Sequence, residues 1–494
     1  MSSDKKKFLK GVSSGYAYMI VSMAVSLWMV PFVLGYLTKP EYGIFAIAGD
    51  LLGWLGVANL GITAAFNSKG AQLLGTNNRK ELNIVTSTTF FAQLATSLVI
   101  IVGGVLITLK PELLFGSRGD ADNLGLVVAI LVSGFFIQYI TQPLNSLLVA
   151  DKQIHIDNYL RFGLLAIQTT LTVLLLMGGM KLLSLAISSF VSNVIITAIT
   201  WYRVKRSFPD IRFSLRHWRT DRMLYLLKNG IWFTVGGIAG ILIFRMDAFL
   251  IGKYLSLSLV ASFVINNRLY QIAEKFHGQF FNTARPYFAQ TYGKGDMAKL
   301  TQMYNLVYYS SFLSAFVIGV GVYLVSKWFI GWWVGPDFYL GDTINLLLCI
   351  NFIVQAAVLP NRILLATSLH KIVYHNLTRI FEGITKFTLS VLFLSHFGIK
   401  SIIIAAIIAS LIFSNSILNL ITARFLKENN LTKLLPLLPV LSLCLLLYFD
   451  NTAYRISLFL AVFFAIVVIV GSKLKNTNLS LKEFGFMKLK SKNK

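Results

Sequence analysis

The sequence predicts an all-α integral membrane protein of about 14 transmembrane helices, built as two pseudo-symmetric six-helix lobes plus a C-terminal helix pair. Three observations carry this reading. Hydrophobic residues make up 56% of the 494 and charged residues 13%, against roughly 25% charged in an average soluble domain. Apolar runs of about 20 residues, enough to cross a hydrocarbon core of about 30 Å, recur along the chain. The sequence also matches itself at an offset of 218, through Tyr36/Tyr254, Phe45/Phe263, Gln72/Gln290, Gly75/Gly293, Asn158/Asn376 and Arg161/Arg379 among others. Shared apolar composition explains the Leu and Ile coincidences but not the polar ones.

The predicted spans are 12–36, 43–66, 84–109, 124–149, 156–179, 182–202, 229–252, 257–283, 303–325, 342–367, 373–396, 400–422, 434–449 and 454–471. They lack the alternation of barrel strands, and lipid leaves a lone segment no other way than a helix to satisfy its backbone. The first follows Lys5, Lys6, Lys7 and Lys10, but it is too long for a signal peptide and lacks a small-residue cleavage site. Cys349 and Cys444 are the only cysteines, which excludes a disulfide framework or a zinc motif. Lobe one is expected over 1–202, a basic cytoplasmic linker over 203–228, lobe two over 229–424, and the helix pair with a basic tail over 425–494.

The net charge of +25 reports topology. With the amino terminus cytoplasmic, thirty of the 45 Lys and Arg fall on the inner side, eight on the outer side and seven within helices. That is the positive-inside pattern, with both termini cytoplasmic, and it adds attraction to anionic lipid. Nucleic acid is not the expected partner. Trp328, Trp332 and Trp333 before Gly335-Pro336 read as an outer interfacial belt. The longest outward loops, 110–123 and 326–341, leave little room for an external catalytic domain.

The embedded charges carry the functional signal. Arg161, Arg245, Arg268, Lys275, Arg362, Arg379 and Lys386 lie in predicted helices with Asp50, Asp247, Glu274 and Glu382. Each would cost about 2.5–3.5 kcal/mol at a lipid-facing helix centre, so most must face inward. Arg379, Glu382 and Lys386 share one helix face, and Arg268, Gln271 and Lys275 repeat that spacing. Seven cations against four acids fit a cavity for an anion such as a diphosphate, whose oxygens match the guanidinium fork. Arg379 and Glu382 also fit a plain internal ion pair. The four acids are candidates for ion coupling, Asp247 equally for a structural partner. His277 reads as structural more readily than as a proton relay, and no histidine belongs to a metal set.

The run from Tyr36 through Lys39-Pro40-Glu41-Tyr42-Gly43 to Phe45, then Asn59-Leu60-Gly61-Ile62 and Ala71-Gln72, resembles the opening of bacterial polysaccharide-unit flippases of the multidrug/oligosaccharidyl-lipid/polysaccharide exporter superfamily. Arg245-Met246-Asp247 through Gly252 and Arg285-Pro286-Tyr287-Phe288-Ala289 are similar to that family's second lobe. Asn59 departs from the pattern, which places an acid there in many relatives.

The resemblance implies a flippase, not an enzyme, that carries an undecaprenyl-diphosphate-linked oligosaccharide such as an O-antigen unit across the bacterial inner membrane by alternating access. Its implied partners are that lipid, membrane lipids, a polysaccharide polymerase and glycosyltransferases. No cofactor is implied beyond H+ or Na+ as a coupling ion. Gln93, Gln138, Gln142, Asn266, Asn267, Gln355, Asn361 and Asn415 are candidate sugar contacts. Open alternatives are a peptidoglycan-precursor flippase, a multidrug antiporter of the same superfamily, and a membrane polysaccharide polymerase or ligase.

The charge pattern makes a topological prediction. In a cysteine-free background, Arg118→Cys should react with a membrane-impermeant maleimide added from the periplasm and Arg212→Cys should not. The reverse labelling would overturn the orientation.

Overall fold

The computed structural model describes residues 3–115, 124–365, 369–428 and 461–469, with positions 457 and 471, and contains no strand among them. The first repeat holds α1 (Ser3–Leu34), α2 (Lys39–Leu55), α3 (Ile62–Gly75), α4 (Arg79–Leu109), the short α5 (Glu112–Phe115), α6 (Leu124–Ile140), α7 (Gln142–Ala150), α8 (Ile154–Met177) and α9 (Lys181–Ser207). The second holds α10 (Thr220–Phe244), α11 (Asp247–Tyr254), α12 (Leu257–Asn282), α13 (Arg285–Gly293), α14 (Met297–Trp333), α15 (Asp342–Ala357), α16 (Leu359–Leu365), α17 (Leu369–Phe397), α18 (Ile399–Ala409) and α19 (Leu418–Leu426).

The offset of 218 governs helix ends more closely than it governs residue identity. Helices α2, α4 and α9 begin at Lys39, Arg79 and Lys181, and α12, α14 and α18 begin at Leu257, Met297 and Ile399. The caps recur at the same offset. Thr38 and Glu41 form a capping box on α2, and Ser256 accepts from the Leu259 amide at 3.2 Å on α12. Asn78 accepts from the Glu81 amide on α4, as Asp296 does from Lys299 on α14. Each cap satisfies an amide that the helix itself leaves unpaired.

Two compact units divide the chain, Met1–Ile241 with Arg245–Ala261, and Leu242–Phe244 with Ser262–Lys494. Most of α10 and all of α11 therefore belong to unit 1. The expected linker is short and docked: α9 runs to Ser207 and α10 starts at Thr220. Between them, the Arg212 amide donates to Asn83, Ser87 donates to the Arg212 carbonyl, and the Arg219 amide donates to Thr88. Phe213 and Trp218 pack on the core of Phe66, Leu82, Leu147 and Phe208.

Eleven helices among the described residues are long and apolar enough to cross a membrane. The expected eighth span is helical as α12, and its Arg268, Glu274 and Lys275 keep it less apolar than those eleven. The expected span 434–449 lies outside the described residues, and only 457, 461–469 and 471 of the last are described. The span expected over 43–66 is broken. After a 3-10 turn at Gly56–Asn59, Leu60 and Gly61 take positive φ of 50° and 67° before α3 begins. Trp328 and Trp332 are exposed and stacked, as a lipid-facing belt requires, but Trp333 is buried and faces the protein.

Gly61 also sets a close approach within unit 1. A Cβ there would lie 2.0 Å from the Gly230 carbonyl oxygen, and one on Gly230 would lie 2.7 Å from the Leu60 carbonyl oxygen. Backbone cannot yield as a side-chain tip can. Gly61→Ala should therefore lower stability by about 2–4 kcal/mol, from strain at positive φ and from the clash. Gly49→Ala, with nothing within 4 Å of the new methyl, should be neutral or slightly stabilising in its helix. Thermal unfolding of both purified variants checks the contrast, and equal melting temperatures would refute it.

Candidate functional site

Unit 1 holds a half-open cavity of about 470 Å³ between α1, α3, α6, α7, α8 and α9. Amides and hydroxyls, placed by helical spacing, make up much of its wall, with Val149, Leu160, Leu164 and Ile196 between them. Gln138, Gln142 and Asn145 follow at i, i+4 and i+7, as do Asn193, Thr197 and Thr200 on α9. Behind the wall, Gln142 Oε1 accepts from Asn59 Nδ2 at 2.6 Å and from Gln93 Nε2 at 3.1 Å. Gln93 also donates to the Tyr139 carbonyl, and Asn59 Oδ1 accepts from the Thr63 amide. The neutral residue at position 59 thus has a job that an ionised carboxylate could not do, because the amide nitrogen donates.

Arg161 reaches the same cavity, but not as a free cation. Its Nε donates to Asp157 Oδ2 at 2.9 Å, one helical turn earlier, with the arginine side chain 57% exposed and the aspartate nearly buried. Asp50 and Arg245, expected in different roles, meet as an ion pair at 3.5 Å. The Trp54 indole donates to the Arg245 carbonyl, and Asp247 opens α11 two residues on.

Unit 2 gathers the other expected residues around α17. Arg362 Nη2 donates to Gln355 Oε1 at 2.8 Å, and Gln355 Nε2 donates to Glu382 Oε1 at 3.0 Å. Ser414 donates to the other oxygen of Glu382, from a π-helical stretch over Ser410–Ile417. Such stretches occur frequently at functional sites. Glu382 is 1% exposed. The ion pair between Arg379 and Glu382 that the spacing allowed does not form. Glu382 is satisfied instead by two neutral donors, and Arg379 has no hydrogen bond or ion pair with any described residue. Its guanidinium lies over the Phe244 ring at 5.7 Å.

Arg362 Nε, Arg379 Nε and His375 Nδ1 are all buried without a hydrogen-bond partner. The charges of Arg362 and Arg379 act on each other, on His375 and on Glu274. Of the remaining expected cations, Lys386 is buried and donates to the Ile243 carbonyl, Arg268 is half-buried on α12, and Lys275 is exposed there. His277 is held by the Ser311 carbonyl at 3.0 Å, in line with a structural role. Asn266 and Asn361 are also engaged, with the Phe338 carbonyl and with Tyr304 and Asn419. Asn415 donates to the Val354 carbonyl, while its own oxygen is buried and unpartnered. No group of three or more metal-ligating side chains occurs among the described residues.

His375, Asn67, Asn145 and Asn193 were missed from sequence. The repeat contained the signal for His375. At the offset of 218 it stands where Asp157 stands, one turn before the matched arginine.

The profile of a family described as polysaccharide biosynthesis proteins matches residues 35–339. An uncharacterized membrane protein, EpsK of Bacillus subtilis (strain 168), is 21% identical over 368 residues, covering 72% of this chain and 70% of that protein. A MATE-family multidrug resistance transporter of the MOP superfamily, in an inward-facing conformation, has a TM-score of 0.67 at 13% identity, covering 83% of this chain and 95% of its own. The lipid II flippase MurJ, in an inward closed conformation, has a TM-score of 0.65 at 14% identity over 94% of this chain and 99% of its own. At such identities the likeness is one of fold.

The hydrogen-bond pattern predicts which substitutions destabilise. Gln355→Leu strips partners from Arg362 and from buried Glu382 and should cost about 2–4 kcal/mol. Arg379→Gln should change stability by less than about 1 kcal/mol, since it removes only a ring contact. Thermal unfolding in detergent checks the ranking, and a larger loss for Arg379→Gln would reverse it.

Proposed function

Since the chain belongs to the polysaccharide biosynthesis protein family, we propose that this multi-pass membrane protein is a flippase and not an enzyme. Its cargo is an undecaprenyl-diphosphate-linked oligosaccharide unit of a surface polysaccharide such as O-antigen. It moves the unit between the leaflets of the bacterial inner membrane by alternating access. Both termini lie in the cytoplasm, and the polymerase and glycosyltransferases of the same polysaccharide are its partners.

One observation supports the cargo above the rest. Arg379 is a partly exposed cation whose Nε is buried without a partner and which has no protein anion in hydrogen-bonding reach, with Arg362 and His375 adding unpartnered nitrogens of their own. A partly exposed guanidinium with no hydrogen-bonded carboxylate is available to a ligand of opposite sign. Diphosphate oxygens suit two guanidinium groups. Cationic drugs, the cargo of a multidrug antiporter, have the wrong sign for it. Among the four acids, ion coupling by H+ or Na+ is assigned to Glu382, which is buried, held by neutral donors and in no ion pair with a described residue.

Deletion of the gene tests the reading. Lipid-linked units should accumulate in the inner leaflet while surface glycan falls and the cell wall stays normal. Complementation with Arg379→Gln should give normal membrane abundance without export. Arg379→Lys should restore export in part, because an ammonium keeps the charge but not the fork. Wild-type surface glycan in the deletion strain, with no second flippase gene present, would refute the function.

A further inference from the structure

The unit 1 cavity has chemistry that the diphosphate does not need. Its one exposed cation, Arg161, is already neutralised by Asp157, so the compartment offers an anion little. What it offers is unused hydrogen-bonding capacity. Gln138, Asn145 and Asn193 line the cavity and make no side-chain hydrogen bond with any described residue. Asn67 and Thr200, also in the wall, each carry a buried oxygen without a partner. For the buried Asn193 and the buried oxygens of Asn67 and Thr200, helix packing alone would pair or exclude such groups, since lipid and protein interiors penalise unmet donors and acceptors.

Gln142 shows that the wall is organised. Its oxygen is occupied from behind by Asn59 and Gln93, which fixes the amide and leaves its NH2 without a described partner. A fixed donor beside free amides that both donate and accept is suited to hydroxyl groups, which do the same. The volume of about 470 Å³ exceeds what a few waters fill at about 30 Å³ each and falls within the roughly 300–1,000 Å³ of small-molecule sites.

We propose that the unit 1 cavity is a binding compartment for the uncharged, hydroxyl-rich sugar of the cargo, separate in chemistry from the cationic cluster on α17. The assignment rests on the flippase reading and adds to it a recognition site for glycan. Gln142 is the oriented donor, and Asn145 and Asn193 are the adaptable contacts. The Asp157–Arg161 pair bounds the compartment while presenting no net charge to it.

Binding to the full-length protein in nanodiscs separates the two ideas. The probes are undecaprenyl diphosphate, which carries no sugar, and the undecaprenyl-diphosphate oligosaccharide fraction extracted from cells that carry this gene. Wild-type protein should bind the glycan-bearing lipid at least tenfold more tightly. Asn145→Leu and Asn193→Leu, which break no side-chain hydrogen bond with any described residue, should each weaken that lipid about fivefold, with less than a twofold change for undecaprenyl diphosphate. Retained binding of the sugar-free lipid also certifies that each variant is folded. Arg379→Gln should weaken both lipids alike. Equal wild-type affinity for the two lipids, or equal losses on both in the asparagine variants, would overturn the glycan compartment and leave the flippase reading standing. Failure of wild-type protein to bind either lipid would sink the flippase reading, and the compartment with it.

Discussion

A polar group inside a hydrocarbon layer finds no partner except the protein, and this single constraint sorts the chain. Where an amide or a charge is structural, the fold supplies its partner at short range. The starts of α2, α4, α12 and α14 have their caps, Glu382 has Gln355 and Ser414, Lys386 has a carbonyl, and Asp50 has Arg245. What stays unpaired is then informative. Beside α17 in unit 2 the remainder includes two guanidinium nitrogens, and in the unit 1 cavity it is neutral.

The two repeats reach those different remainders from one plan. In the first, an aspartate one turn before the matched arginine closes it into an ion pair. In the second, histidine occupies the aspartate position and the arginine is left with an aromatic face. A single exchange of acid for imidazole thus takes the local charge from neutral to positive while the arginine keeps its place in the helix. Duplication made the scaffold twice, and substitution gave the copies different appetites.

Much of the fold was legible because lipid imposes a length and a composition on every crossing helix. The duplicated frame was legible too, through Arg161/Arg379 and Asn158/Asn376. The break at Leu60 and Gly61 was not, since apolar residues continue through it and only the backbone angles reveal the turn. The repeated caps escaped notice because Thr38 and Ser256, or Asn78 and Asp296, agree in what they accept and not in identity. For the site, sequence found which cations were embedded but not which were spent. Spacing on α17 made an Arg379–Glu382 pair equally reasonable, and only the positions of Gln355 and Ser414, from other helices, decide against it. The polar side chains of α9, Asn193, Thr197 and Thr200, were overlooked because their i, i+4 and i+7 spacing sits within a run that reads as apolar.

The approach of Gly61 to Gly230 has an evolutionary reach beyond its packing. Any single-base change that replaces glycine with another amino acid introduces a side chain, and at either position that carbon would fall within about 2–3 Å of a carbonyl oxygen. No neighbouring codon offers a tolerable intermediate. The contact between these two backbones can therefore drift only silently, while the polar lining a few residues away on α3, from Thr63 to Asn67, remains free to be rewritten for a different cargo.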